Sequence, residues 1–188
     1  MLARPRAGRY NEVGFMTDPI HPASTPADYA AFGRLIREYL EWCRERYREQ
    51  GWFVERVFGY QALEEELGSL AIAYGSPNGI TLLAKVDGEI CGGGAYRRLG
   101  EGVCEMKRLF VSDRFKGRGI GRQLCAALIE SARAEGFELM RLDTANLLTE
   151  AIALYRSVGF QVCEPYRDYP EDLMPFLVFM ELSLGGKG

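Results

Sequence analysis

Lys116, Gly117, Arg118, Gly119, Ile120, Gly121 and Arg122 are the residues best equipped for chemistry in this chain. Apolar strand-formers precede them from Met106 to Val111, and Ile120, Leu124, Ala127, Leu128 and Ser131 follow at helical spacing. The order predicted is strand, glycine-rich turn, helix. A helix start offers unpaired N–H groups and a positive dipole end, and both attract anions. Glycine lets the main chain approach a phosphate with no side chain in between. Lys116, Arg118 and Arg122 add positive charge at the same place. The segment therefore reads as a phosphate- or pyrophosphate-binding turn. It lacks the Gly-Lys-Ser/Thr of a P-loop. It is an imperfect dinucleotide fingerprint, because Arg122 stands where the last glycine belongs, although Asp143 ends the next strand where a ribose-binding acid would sit.

Such a turn needs a rigid support, and the flanking sequence supplies one. A first strand is expected over Met16–Pro22, then a helix capped by Thr25, with Pro26 and Asp28 in its first turn. Phe32, Leu35, Ile36, Tyr39, Leu40, Cys43 and Tyr47 mark its buried face. An aromatic segment follows (Trp52, Phe53, Phe58, Tyr60), and a second helix is predicted over 61–74. Strands over 81–86 and 90–97 meet at Asp87-Gly88, a hairpin signal. Gly92-Gly93-Gly94 predicts a bulge or bend in the second of them. A fourth strand over 103–111, a helix over 119–135 closed by Gly136, and a fifth strand over 138–143 come next. Strands four and five, joined by a helix, should be parallel. A helix over 148–157 and strands over 160–163 and 176–182 complete the chain.

Several of these segments resemble the Gcn5-related N-acetyltransferase (GNAT) family. Lys116-Gly117-Arg118-Gly119-Ile120-Gly121 matches the family's Gln/Arg-x-x-Gly-x-Gly/Ala turn except at its first position. Ile20-His21-Pro22-Ala23 with Asp28 is similar to its first strand and helix start, and Glu105–Val111 to its fourth strand. Ala151-Ile152-Ala153-Leu154-Tyr155, followed by Gly159-Phe160, is similar to its A-x-x-L-Y…G-F segment. The resemblance runs over roughly residues 18 to 183. It implies a single α/β domain with a mixed sheet of about six to seven strands, splayed parallel strands four and five, and helices on both faces.

The resemblance also implies roles. Acetyl-CoA is the cosubstrate, and acetyl passes directly to a primary amine in a ternary complex. Residues Lys116 to Arg122 would hold the pyrophosphate. Leu109, Phe110 and Val111 would pair their main chain with the pantetheine arm and polarise the thioester oxygen. Lysine at 116 lacks the planar fork of the usual Arg or Gln. Tyr155 matches the general acid that protonates the leaving thiolate, although it also reads as an ordinary core tyrosine. Glu105 is the candidate base, with pairing to Lys107 as the plainer alternative. Leu148 stands where the family often has asparagine, with Asn146 nearby. The first two helices and their connection wall the acceptor pocket in the family. Trp52 and Glu65 are thus candidate acceptor contacts suited to a cationic amine, with the segment from Tyr166 to Asp172 as the other place to look. Against the enzyme stand a non-catalytic acyl-CoA sensor and a nucleotide-cofactor oxidoreductase.

Composition sets the bounds. With 188 residues and 47% hydrophobic content the chain fits one domain with a real core, expected over 16–188 behind a tail over 1–15. A net charge of −3 gives no general attraction to nucleic acid or anionic membrane. No apolar run reaches the ~18 residues of a span, and no apolar region after Arg4, Arg6 and Arg9 makes a secretory signal. Cys43, Cys91, Cys104, Cys125 and Cys163 form no C-x-x-C pair, as expected of buried thiols in a cytoplasmic protein. His21 is the single histidine, which excludes a histidine-based metal site and argues against a Cys–His nucleophile. The expected partners are a small-molecule or peptide amine and, compatibly, a second copy in a homodimer.

Overall fold

The computed structural model describes residues 17–185; the tail expected over 1–15 lies outside them. Strands β1 (Thr17–Pro22), β2 (Gly79–Val86), β3 (Glu89–Gly100), β4 (Val103–Val111), β5 (Leu139–Ala145), β6 (Gln161–Val162) and β7 (Leu177–Ser183) form a seven-stranded sheet in the order β1-β2-β3-β4-β5-β7-β6. All neighbouring pairs are antiparallel except β4 and β5, which are parallel. Helix α1 (Pro26–Arg46) is opened by the expected capping box: Asp28 N–H donates to Thr25 Oγ1 at 3.2 Å, and Thr25 N–H donates to Asp28 Oδ2 at 3.0 Å.

The helix expected over 61–74 is a correction. The chain instead forms α2 (Gly51–Tyr60), α3 (Leu63–Leu67) and α4 (Leu70–Tyr74). Ala62 adopts φ +51°, which breaks the helical path there, and Gly68-Ser69 separates the last two. The aromatic segment is itself helical. Phe53, Val54, Val57 and Phe58 fall on one face and are buried.

The sheet divides the core. On one face α5 (Ile120–Ala134) and α6 (Thr149–Ser157) pack through Leu124, Leu128 and Tyr155 against Met106, Met140 and Met180. On the other, α1 to α4 pack through Phe32, Leu35, Phe53, Phe58 and Tyr74 against Leu83, Phe110 and Phe179. The glycine run in β3 lies opposite an irregularity as expected, but the extra residue belongs to β4. Gly93 pairs with Phe110 and Ala95 with Lys107, so Gly94 faces both Arg108 and Leu109. Arg108 takes φ +58° to make this bulge. A Cβ on Gly94 would come within 2.9 Å of Leu109 and 3.0 Å of Leu128, so only glycine admits the bulge and α5 together.

Candidate active site

Strands β4 and β5 pair only at Val103–Leu139, Cys104–Met140 and Glu105–Arg141. Beyond these they diverge, and a cleft of about 600 Å³ occupies the fork. Leu109, Phe110 and Val111 line one prong, and Leu142, Asp143, Thr144 and Ala145 the other. The edge of β4 in this stretch has no strand on the β5 side, so its main-chain groups face the cleft.

At one end of the cleft stands the glycine turn. Gly117 (φ +77°) and Gly119 (φ +76°) both take the left-handed conformation that glycine accepts without strain. Gly119 immediately precedes α5, whose start has no side-chain cap. The first helical bond there runs from Gln123 N–H to Gly119 O, leaving the N–H groups of Ile120, Gly121 and Arg122 ahead of it. A Cβ at Gly119 would meet nothing nearer than Gln123 Nε2 at 4.0 Å, so the space in front of these donors is open. An anionic diphosphate fits this arrangement. Lys116, Gly117, Gly119, Ile120 and Gly121 line the cleft, whereas Arg118 and Arg122 flank it. Arg122 donates to Ser157 Oγ at 2.9 Å, and Arg118 to the Arg114 carbonyl at 3.3 Å.

The last turns of α1 roof this end. Lys116 Nζ sits 3.8 Å from the Trp42 ring centroid and 2.5 Å from Asp113. Arg46 pairs with Glu150 of α6, and the Tyr47 hydroxyl donates to the Leu147 carbonyl. Tyr155 enters from the α6 side. It is 8% exposed, lines the cleft, and its hydroxyl has no hydrogen-bond partner among the described residues. Burial pushes that hydroxyl well above its ordinary value, with Cys125 and Asp143 adding to the effect. It therefore stays protonated, as a proton donor must. Cys43 also lines the cleft, but burial pushes its thiol up to about 11, so it is no thiolate nucleophile.

The other end is walled by Phe53, Val54, Val57, Phe58 and Gln61 of α2 and the residue after it, with Lys107, Arg108 and Asp143 as its floor. Lys107 Nζ lies 3.1 Å from Asp143 Oδ1, both side chains almost fully buried. The Tyr169 hydroxyl donates to Asp143 Oδ2 at 2.8 Å and accepts from Gln61 Nε2 at 2.9 Å. Burial raises the Asp143 carboxyl, but the Lys107 charge and the Tyr169 hydroxyl outweigh it and hold the group well below the usual carboxylate range. Arg108 makes a bidentate pair with Glu66 at 2.7 and 2.8 Å, and Glu66 also accepts from the Tyr74 hydroxyl.

Three expected site residues stand elsewhere. Glu105 is 0% exposed and outside the cleft lining. Arg97 and Arg167 clamp its carboxylate, and the Tyr166 hydroxyl lies 3.1 Å from it. The partner expected in the plainer alternative, Lys107, turns to Asp143 instead. Trp52 is half exposed and packs edge-on to Phe53 and Phe176 rather than into the cleft. Glu65 is exposed on α3, while its neighbour Glu66 reaches the buried arginine. Asn146 donates to the Pro175 carbonyl. The sequence reading missed Lys107, Arg108 and Gln61. Asp143 entered it only as a ribose-binding acid. Charged residues within an otherwise apolar β4 were the available signal.

The Acetyltransferase (GNAT) family model matches residues 37–160, a span holding the fork, the turn and Tyr155. An uncharacterized N-acetyltransferase of Schizosaccharomyces pombe is 34% identical over 167 residues, covering 88% of this chain and 94% of that protein. The uncharacterized N-acetyltransferase YjgM of Escherichia coli is 29% identical, covering 76% and 82% respectively. Among solved structures, the PaiA N-acetyltransferase of Thermoplasma acidophilum in complex with coenzyme A shares the fold, with TM-score 0.67, 16% identity, and 88% and 99% of the two chains covered. The forked sheet and glycine turn thus agree with a family match across most of the chain, and this protein belongs to the GNAT family of acetyl-CoA-dependent N-acetyltransferases.

Proposed function

We propose that this chain transfers acetyl directly from acetyl-CoA to a primary amine, with both substrates bound together and no acyl-enzyme. The observation that carries the reading is the fork between β4 and β5, with an open anion-binding helix start at one end and Tyr155 in its wall. The main chain of Leu109, Phe110 and Val111 pairs with the pantetheine amides, and residues 116 to 122 receive the pyrophosphate. The amine nitrogen attacks the thioester carbon, and the N–C bond forms as the C–S bond breaks. Tyr155 gives its proton to the departing sulfur and is reprotonated by the proton the amine loses.

Glu105 is not retained as the base, because two guanidiniums hold it outside the cleft. The amine enters already neutral, and its surplus proton is left in solvent. An alkyl amine with a pKa near 10.4 is about one part in a thousand neutral at pH 7. The pH profile tests this: kcat/KM should rise about tenfold per pH unit from 7 toward the amine's own pKa. A plateau beginning near neutrality would instead reveal a protein base. Calorimetry with CoA and NAD in separate cells tests the cofactor, with binding expected for CoA alone.

A further inference from the structure

Every charged side chain lining the cleft has a counterion, but the two ends differ in how firmly those pairs are held. At the turn, Lys116–Asp113 and Arg46–Glu150 are exposed pairs that an entering diphosphate can rearrange. At the α2 end, Lys107–Asp143 and Arg108–Glu66 are buried, hydrogen-bonded pairs with no more than 11% side-chain exposure. Their charges cancel where they stand. Apart from Gln61 at the rim, whose amide donates to the Tyr169 hydroxyl, the wall of that end is apolar: Phe53, Val54, Val57 and Phe58. A second charge on the acceptor would lie against apolar groups and already neutralised ions, without a partner.

From this we infer that the acceptor is a primary amine with an uncharged, apolar body. The body lies along the face of α2, and the nitrogen is directed by Asp143. The inference rests on the catalytic reading above and narrows its substrate. Asp143 lines the cleft and accepts from Lys107 and Tyr169, while the Tyr166 hydroxyl lies 3.4 Å away with a nearer acceptor in Glu105 at 3.1 Å. A carboxylate has about four lone-pair sites, which leaves room for an amine N–H. Surplus positive charge does exist nearby, since Arg97 and Arg167 share the one Glu105 carboxylate. That cluster is outside the cleft lining, on the far side of Tyr166, so it does not reach the acceptor's body.

The test is free-CoA release by the full-length protein with acetyl-CoA and four amines: phenethylamine, hexylamine, L-phenylalanine and spermidine. Phenethylamine and L-phenylalanine share a ring and differ by a carboxylate. The expected result is kcat/KM higher for phenethylamine and hexylamine than for the other two, by on the order of a hundredfold or more. Gln61→Glu, at the half-buried rim, should narrow the gap to spermidine without changing KM for acetyl-CoA. L-Phenylalanine as the better substrate would overturn the inference and move recognition to Arg167. Spermidine as the better substrate would overturn it in favour of an acidic wall. Both outcomes leave the catalytic reading intact. No release with any amine, by protein that still binds CoA, would remove the catalytic reading and this inference together.

Discussion

The two ends of the cleft are made from different parts of the chain. The turn end is built on a continuous stretch: β4, the glycine turn and the start of α5 follow one another within Val103–Ala134, and the last turns of α1 close over it through Trp42, Arg46 and Tyr47. The α2 end is assembled from side chains: Gln61, Lys107, Arg108, Asp143 and Tyr169, with Glu66 and Tyr74 behind them. Its pairs are buried where those of the turn are exposed. An exposed pair contributes about 0–1 kcal/mol and exchanges readily, whereas removing one partner of a buried pair costs about 3–5 kcal/mol. One end can thus reorganise around a charged cofactor, and the other presents a fixed surface.

The largest expected effect is at Tyr155, in the cleft wall. Tyr155→Phe removes one hydroxyl and almost no volume. Steady-state kinetics should show kcat down by about 10²–10⁴ with CoA affinity unchanged. Because burial raises the hydroxyl above its ordinary value near 10, the wild-type kcat should show no falling limb from Tyr155 below about pH 10. A limb near neutrality would assign the proton to another group.

Asp143→Asn probes the fixed end through stability. It leaves Lys107 buried without its counterion, so chemical denaturation at pH 7 should show a loss of about 3–5 kcal/mol. The wild-type carboxyl is held below its unfolded value. Its contribution is therefore complete above the unfolded pKa near 3.9 and is lost as pH falls through the lower folded value. The asparagine variant should accordingly lose less stability than the wild type on acidification below pH 4. Parallel acid curves would mean the pair is not formed in solution.

Gly119→Val probes the exchangeable end. A β-branched residue at φ +76° costs of order 1–3 kcal/mol and places methyls in the open space before the helix start. Calorimetry should show CoA binding weakened by about tenfold or more, in protein that remains folded by circular dichroism. Undiminished affinity would move the diphosphate off the turn.

This division also explains what could be read in the sequence. Strand, turn and helix around Gly119 are local. Glycines, cations and apolar period all lie in one window, so the strand, turn and helix were legible, while the fork between β4 and β5 was an implication of the family resemblance. The α2 end depends on pairings across long sequence separations, such as Arg108 with Glu66 and Lys107 with Asp143, which no local pattern encodes. Glu64, Glu65 and Glu66 are indistinguishable as a string. The bulge at Arg108 and the short turn of α3 decide that only Glu66 points inward. The break at Ala62 was hidden for a related reason. Alanine is an excellent helix former, and its left-handed φ of +51° gives no sign in composition.

The smallest expected effects fall on residues that an aromatic and acidic composition singles out but the geometry leaves aside. Trp52 covers Phe53 and Phe176 from the solvent side, and Glu65 lies exposed with no part in the cleft wall. Glu65→Gln removes only an exposed charge, which salt screens. Trp52→Ala removes a half-exposed ring, so its cost appears as a modest loss of thermal stability through α2. Neither substitution should alter KM for the amine by more than about twofold, a range typical of exposed sites outside a binding surface. A Trp52→Ala variant with a severalfold higher amine KM and an unchanged acetyl-CoA KM would extend the acceptor site outward past Phe53. The body of the amine would then emerge over the outer edge of α2 instead of ending against Val54 and Val57.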